Sequence, residues 1–90
     1  MSITVKIPPL LYQYTNNQRS IEVSGNTVGD CLQQLIKVFP DAKPWLVDKS
    51  GKLHIYIDVH VNGKSLYPEI LSKPVKNGDE LQIIYLMGGG

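Results

Sequence analysis

The chain has 90 residues, 42% hydrophobic and 19% charged, which describes one ordinary globular domain with no room for a second. Nine Lys and Arg against eight Asp and Glu leave a net charge of +1, so the basic surplus of a dedicated nucleic-acid binder is absent. A single cysteine, Cys31, excludes an intramolecular disulfide framework, a four-thiolate iron–sulfur cluster and a Cys-rich zinc site.

Apolar runs fall far short of the ~20 residues of a membrane helix. The opening residues lack the apolar stretch of a secretory signal. The expectation is a cytoplasmic domain that binds neither nucleic acid nor membrane. A chain this small buries too little surface for a deep catalytic cleft, so a binding or carrying role is favoured over catalysis.

Residues 3–7 alternate apolar and polar and predict a half-buried strand, ended by Pro8 and Pro9, which cannot donate to a ladder. A loop over 10–17 follows, with turn chemistry at Thr15, Asn16 and Asn17. Residues 19–23 predict a second short strand, hairpin-paired with the first. Thr27 and Asp30 then stand in a T-x-x-D capping arrangement ahead of Val28, Leu32, Leu35, Ile36 and Phe39, whose spacing makes one apolar helical stripe. The helix is expected over 27–39, with Gln33, Gln34 and Lys37 facing water and Pro40 stopping it.

A connection over 41–52 carries Trp45, Leu46 and Val47 as a short irregular turn over the core. The clearest alternation comes next. Leu53, Ile55, Ile57, Val59 and Val61 share one face of a predicted strand, and His54, Tyr56, Asp58, His60 and Asn62 the other. Asn62 and Gly63 form a hairpin turn. A return strand over 64–67 leads to a crossover over 68–76 with one 3₁₀ turn at Glu69, Ile70 and Leu71. A tight turn at Asn77, Gly78 and Asp79 precedes the last strand, 81–85. The order β-β-α-β-β-β fits an α+β layer pair: a mixed sheet of four or five strands with one main helix across it, the first and last strands side by side in its middle. Leu35, Ile36, Ile57, Val59 and Ile83 are the expected core.

Residues 1–85 are thus the domain and 86–90 a flexible glycine tail. Three glycines follow an apolar strand directly. An inert terminus or an expression scar is the bland reading. The alternative is functional, because glycine without a Cβ is slim enough to thread a narrow channel and present its carboxylate to another enzyme.

Taken in order, several short motifs resemble the ubiquitin-like β-grasp sulfur carriers of the MoaD/ThiS family. They are Ile7 and Pro8 closing the first strand, the helix entry from Gly25, Asn26 and Thr27 to Asp30, then Asp48 with Gly51, Lys52 and Leu53. Val59, His60, Val61, Asn62 and Gly63 follow, then Asn77 to Leu81, and last the diglycine Gly89 and Gly90. The run from Ile7 to Thr15 and the Gly51 to His54 segment most resemble the carriers serving thiocarboxylate-dependent cysteine or homocysteine biosynthesis. A third glycine at the end, and Leu86 with Met87 before it, depart from the family pattern.

The resemblance implies that an E1-like adenylating enzyme of the MoeB/ThiF type consumes ATP to activate the carboxylate of Gly90, or of Gly89 if a C-terminal metallopeptidase trims the chain. A sulfur donor then converts it to a thiocarboxylate. The sulfur-accepting enzyme would be a PLP-dependent cysteine or homocysteine synthase, with the molybdopterin synthase large subunit second. Gly88 and Gly89 would thread the tail, and Leu86, Met87, Tyr56 and His60 would dock the partner. The carrier itself would bind no cofactor and no metal and would not be an enzyme. The rival readings are a protein modifier joined to lysines through the same glycine, and a plain β-grasp binding module.

Other residues carry weaker signals. His54 and His60 are too far apart along one strand to share a metal, roughly 20 Å at the strand rise. Cys31 reads as a small buried hydrophobe, with a thiol relay as the rival. Tyr12, Tyr14, Tyr56 and Tyr67 could form an exposed aromatic patch or pack over loops.

Overall fold

The structure, a computed structural model, describes residues 2–86; Met1 and the stretch 87–90 lie outside the described residues. Alternation at the start of the chain makes the first strand. β1, Ile3–Lys6, buries Ile3 and Val5 completely and turns Lys6 to solvent. It pairs antiparallel with β2, Ser20–Val23, from Ile3 opposite Val23 to Lys6 opposite Ser20. The expected loop between them contains a 3₁₀ helix, Pro9–Tyr14. Pro9 stands at its first position, where its missing N–H costs nothing. Leu11 is fully buried there, and its N–H donates to the Pro8 carbonyl at 2.9 Å.

The helix α1, Val28–Val38, forms as its pattern predicts. The Asp30 N–H donates to the Thr27 hydroxyl at 3.1 Å, while the Asp30 carboxylate accepts the Thr27 N–H at 3.3 Å and the Asn26 N–H at 3.0 Å. These bonds satisfy donors that a helix start otherwise leaves open. Val28, Cys31, Leu32 and Leu35 are buried, whereas Ile36 is only partly covered at the edge of the stripe. The connection after Phe39 is helical, with a 3₁₀ turn at Pro40–Ala42 and the short helix α2, Lys43–Leu46, rather than irregular. Leu46 is fully buried and does pack under the core.

The third strand is shorter than its alternation suggests. β3 runs Ile57–Val61, not from Leu53. Leu53 bridges back to Val47 instead, and the Ile57 N–H closes a turn on the His54 carbonyl at 3.0 Å. Ile55, expected on the core face, is 92% exposed. The ladder to the last strand begins only at Ile57, and before it Leu53 and His54 bond back to Val47 and Leu46, so the alternation does not extend the strand.

Asn62 and Gly63 turn the hairpin with positive φ at both positions, as the sequence predicts. The return strand β4 is just Lys64–Ser65, and turns replace the 3₁₀ element expected at 69–71. The crossover is tied to the start of α1, where the Val28 and Gly29 N–H groups donate to the Lys73 and Leu71 carbonyls, each at 2.9 Å.

β5, Glu80–Tyr85, completes the five-stranded sheet in the order β2-β1-β5-β3-β4. It pairs parallel with β1 and antiparallel with β3. The first and last strands are therefore central, as expected. Leu35 meets Ile57, Val59, Leu81 and Ile83 in one buried cluster between α1 and the sheet. Each such side chain contributes about 1.5–3 kcal/mol by leaving water. One helix across a mixed five-stranded sheet of this order is the β-grasp arrangement.

Candidate functional site: the exit of the last strand

β5 delivers the end of the described chain to one rim of the sheet. There the Leu86 N–H donates to the Tyr56 carbonyl at 2.7 Å, which carries the β3 ladder one residue past the strand. The Leu86 side chain is 57% exposed.

Aromatic rings brace this rim. Tyr85 stacks on Tyr56 with centroids 5.9 Å apart, and Tyr56 on His54 at 4.9 Å. The Tyr85 hydroxyl donates to the Trp45 carbonyl at 2.7 Å, and the Trp45 ring stacks on Tyr14 at 5.4 Å. Nε2 of His54 lies 2.8 Å from the Pro44 carbonyl, an acceptor, so that bond needs the proton on Nε2. Burial, and then the neighbouring Tyr56 phenol, push the Tyr85 hydroxyl up to about 12. The rim thus clamps the end of β5 to α2.

A groove of about 600 Å³ opens beside it, lined among others by Lys6, Tyr12, Arg19, Gln82 and Ile84. The Arg19 guanidinium sits 5.5 Å above the Tyr12 ring, a cation–π contact. Lys6 reaches Glu80 at 3.5 Å, but both are half exposed, so the pair adds little stability. The groove offers cationic groups and apolar surface that reach as far as Tyr85.

Of the expected docking residues, Leu86 and Tyr56 meet at this rim, and Met87 lies outside the described residues. Tyr56 belongs to the aromatic brace, whereas the His60 Nε2 lies 3.3 Å from Oδ2 of Asp58 and its side chain is 29% exposed. Asp58, read as a polar-face residue, is buried. Its Oδ1 accepts the Val59 N–H at 2.8 Å and its Oδ2 accepts the Ser65 hydroxyl at 2.6 Å. Ser, His and Asp therefore meet, but the carboxylate stands between the other two. The Ser65 hydroxyl donates to the carboxylate rather than to the imidazole, so the three do not stand in the Ser–His–Asp order of a nucleophilic triad. The four tyrosines divide as well: Tyr12 lies under Arg19, Tyr14 against Trp45, Tyr56 in the brace, and Tyr67 is 67% exposed.

Cys31 is fully buried. Burial first, then the Asp30 and Asp79 charges, raise its thiol above the usual range and suppress the reactive thiolate. Among the described residues, no group of three or more His, Cys, Asp or Glu could hold a metal ion, and no helix is long and apolar enough to cross a membrane. Met87, Gly88, Gly89 and Gly90, the expected tail, lie outside the described residues.

The sequence reading missed Arg19 and Ile84 as groove residues. Ile84 carried a signal: it breaks the alternation of β5 by placing an apolar residue on the face opposite Leu81 and Ile83. Arg19 carried none, because its seat on Tyr12 depends on the 3₁₀ helix.

The ThiS family profile matches residues 5–90. The chain is 31% identical to the sulfur carrier protein CysO of Mycobacterium tuberculosis over 93 aligned positions, covering 100% of both chains. Among solved structures it is similar to a chain in the crystal structure of the Amycolatopsis orientalis BexX/CysO complex, with a TM-score of 0.87 at 34% identity, covering 98% of this chain and 99% of that one. It is also similar to the small archaeal modifier protein SAMP1 of Haloferax volcanii, with a TM-score of 0.87 at 27% identity over 100% of both chains. With the β-grasp order, the capped helix and a match over nearly its whole length, this chain belongs to the ThiS family.

Proposed function

We propose that this protein is a sulfur carrier of the CysO kind, acting as a co-substrate rather than a catalyst. The observation that carries the reading is the full-length likeness to CysO in a chain whose central strand runs to an exposed Leu86, followed in sequence by Met87 and three glycines. The chemistry follows from what a carboxylate lacks. Oxide is too poor a leaving group for sulfur to displace. An ATP-dependent adenylating enzyme lets a Gly90 carboxylate oxygen attack the α-phosphorus of ATP, and pyrophosphate leaves. The sulfur of a donor attacks the acyl carbon, AMP leaves, and a thiocarboxylate results. That sulfur then forms a carbon–sulfur bond to an amino acid activated as its acetate or phosphate ester, whose acetate or phosphate departs. Hydrolysis of the thioester restores the carboxylate.

The fold's part is presentation. The groove and Leu86 dock the partner, and the glycines reach onward at up to ~3.3–3.6 Å per residue. Cytoplasmic biosynthesis of cysteine or homocysteine is the favoured destination, and a molybdopterin synthase the second.

Intact-mass analysis of the protein from its native host tests this reading. One carboxyl oxygen replaced by sulfur is expected, and incubation with an adenylating enzyme, ATP and a sulfur source should increase that species. Leu86→Asp should reduce transfer while leaving stability within about 0.5 kcal/mol, since the residue is exposed. The likeness to SAMP1 favours a second reading, conjugation to lysines through the same glycine. Lysine-linked adducts in lysate, with no thiocarboxylate, would replace the first reading by the second.

A further inference from the structure

A second groove lies on the helix side of the molecule and shares no lining residue with the exit of β5. Leu32 and Ile36 of α1, Val47 after α2, and Leu71 of the crossover form its apolar floor, with a volume of about 360 Å³. That lies in the range of clefts that accept ligand or side-chain groups. Gly29 sets its end wall: its N–H donates to the Leu71 carbonyl at 2.9 Å, and a Cβ there would stand 3.1 Å from that oxygen.

Lys37 and Lys43 stand at the rim. A shallower continuation over Lys43 and Val47 adds Lys49. Among the described residues none of these lysines has an acidic partner in an ion pair, and the lining of this second groove contains no carboxylate. Asp48 lines that continuation, and its carboxylate is engaged by the Ser50 hydroxyl and by the Ser50 and Lys52 N–H groups. A chain of net charge +1 thus gathers unpaired positive charge around one apolar trough.

We propose that this groove docks an acidic amphipathic segment of a partner protein, its apolar side chains on Leu32, Ile36, Val47 and Leu71 and its carboxylates on Lys37, Lys43 and Lys49. Charge complementarity selects acidic flanks, and the apolar floor selects a peptide over a nucleic acid or a membrane surface, which would leave it uncovered. A partner held here leaves the β5 exit open, so one protein can hold the carrier while another works at its end. The proposal does not rest on the sulfur reading.

The test uses the full chain, ¹⁵N-labelled, titrated with three synthetic peptides. One carries leucines on one helical face among glutamates, one has serines for the leucines, and one has lysines for the glutamates. The first should shift the amides of Ile36, Lys37, Lys43, Val47, Gly51 and Leu71, weaken as salt is raised, and bind at least about tenfold more weakly to Lys37→Glu/Lys43→Glu protein. Both lysines are exposed, so that variant should melt like the parent. The second and third peptides should not bind there. The proposal is overturned if the first peptide shifts nothing, if its shifts centre on residues 82–86, or if the serine peptide binds equally. It is also overturned if phosphatidylserine vesicles or duplex DNA occupy the same amides more tightly.

Discussion

Replacing Tyr85 by Phe removes one oxygen and leaves the ring. The lost bond is the 2.7 Å contact to the Trp45 carbonyl, and the stack on Tyr56 at 5.9 Å is kept. A neutral hydrogen bond is worth about 0.5–1.5 kcal/mol net. Trp45 is 39% exposed, so water can reach the vacated carbonyl, and the lower part of that range, about 0.5–1 kcal/mol, applies. For a domain of this size that is a fall of about 2–8 °C in Tm. The same variant separates the charge effect. The phenol is raised from 10.0 to about 12 in the fold, so its contribution is fully present below pH 10.0 and is lost as pH climbs through about 12. The parent should lose stability more steeply over that window than Tyr85→Phe. Thermal melts and tyrosinate absorbance titrations measure both effects. One of the five tyrosines should ionise late, and the late component should vanish in the variant. An unchanged Tm together with a persisting late component would refute the clamp.

The core offers a larger perturbation. Leu35→Ala, at a site with 0% exposure, should cost about 2–5 kcal/mol by urea denaturation; a loss below 1 kcal/mol would mean that α1 does not seat as described. Gly25→Ala would place a Cβ 2.6 Å from the Asp30 Cβ and so push on the carboxylate that caps α1. A loss of about 1–3 kcal/mol is expected, with reduced helix signal in circular dichroism. Cys31→Ser should destabilise by burying a hydroxyl, yet leave the terminal glycine able to accept sulfur. Loss of thiocarboxylate formation in folded Cys31→Ser protein would revive a thiol relay.

What the sequence revealed divides along physical lines. The capping pair Thr27 and Asp30, the stripe from Val28 to Phe39, and the turns at Asn62 with Gly63 and at Gly78 are local chemistry, and each forms where its pattern stands. The adjacency of the first and last strands was also legible, from the order of elements. The segment from Leu53 to Tyr56 was not. Its alternation is as regular as that of β3, but period-two patterning says nothing about whether a neighbouring strand is there to pair with. The three short helical pieces, one before α1 and two after it, escaped because prolines at their starts read as breaks, whereas Pro9 and Pro40 open 3₁₀ turns and Pro44 sits in the first turn of α2. At the site, Leu86 was legible as an apolar residue past the last strand. The brace behind it was not, because His54, Tyr56, Tyr85 and Trp45 come from segments that meet only in the fold.

The parallel pairing of β1 with β5 sets the order in which the molecule can be made. Thr4, Val5 and Lys6 wait for Glu80, Leu81 and Gln82, partners nearly a whole chain length away. Without β5 the hairpin of β1 and β2 has no link to β3 and β4, because β5 alone joins them in the sheet. A growing chain on the ribosome can cap its helix and close its hairpins early, but its central seam stays open until the last strand is out. Such long-range closure is slow compared with local pairing. A polypeptide that stops before Glu80 lacks the strand that joins the two halves of its sheet. Only a chain read through β5 can close that seam and set Leu86 against Tyr56.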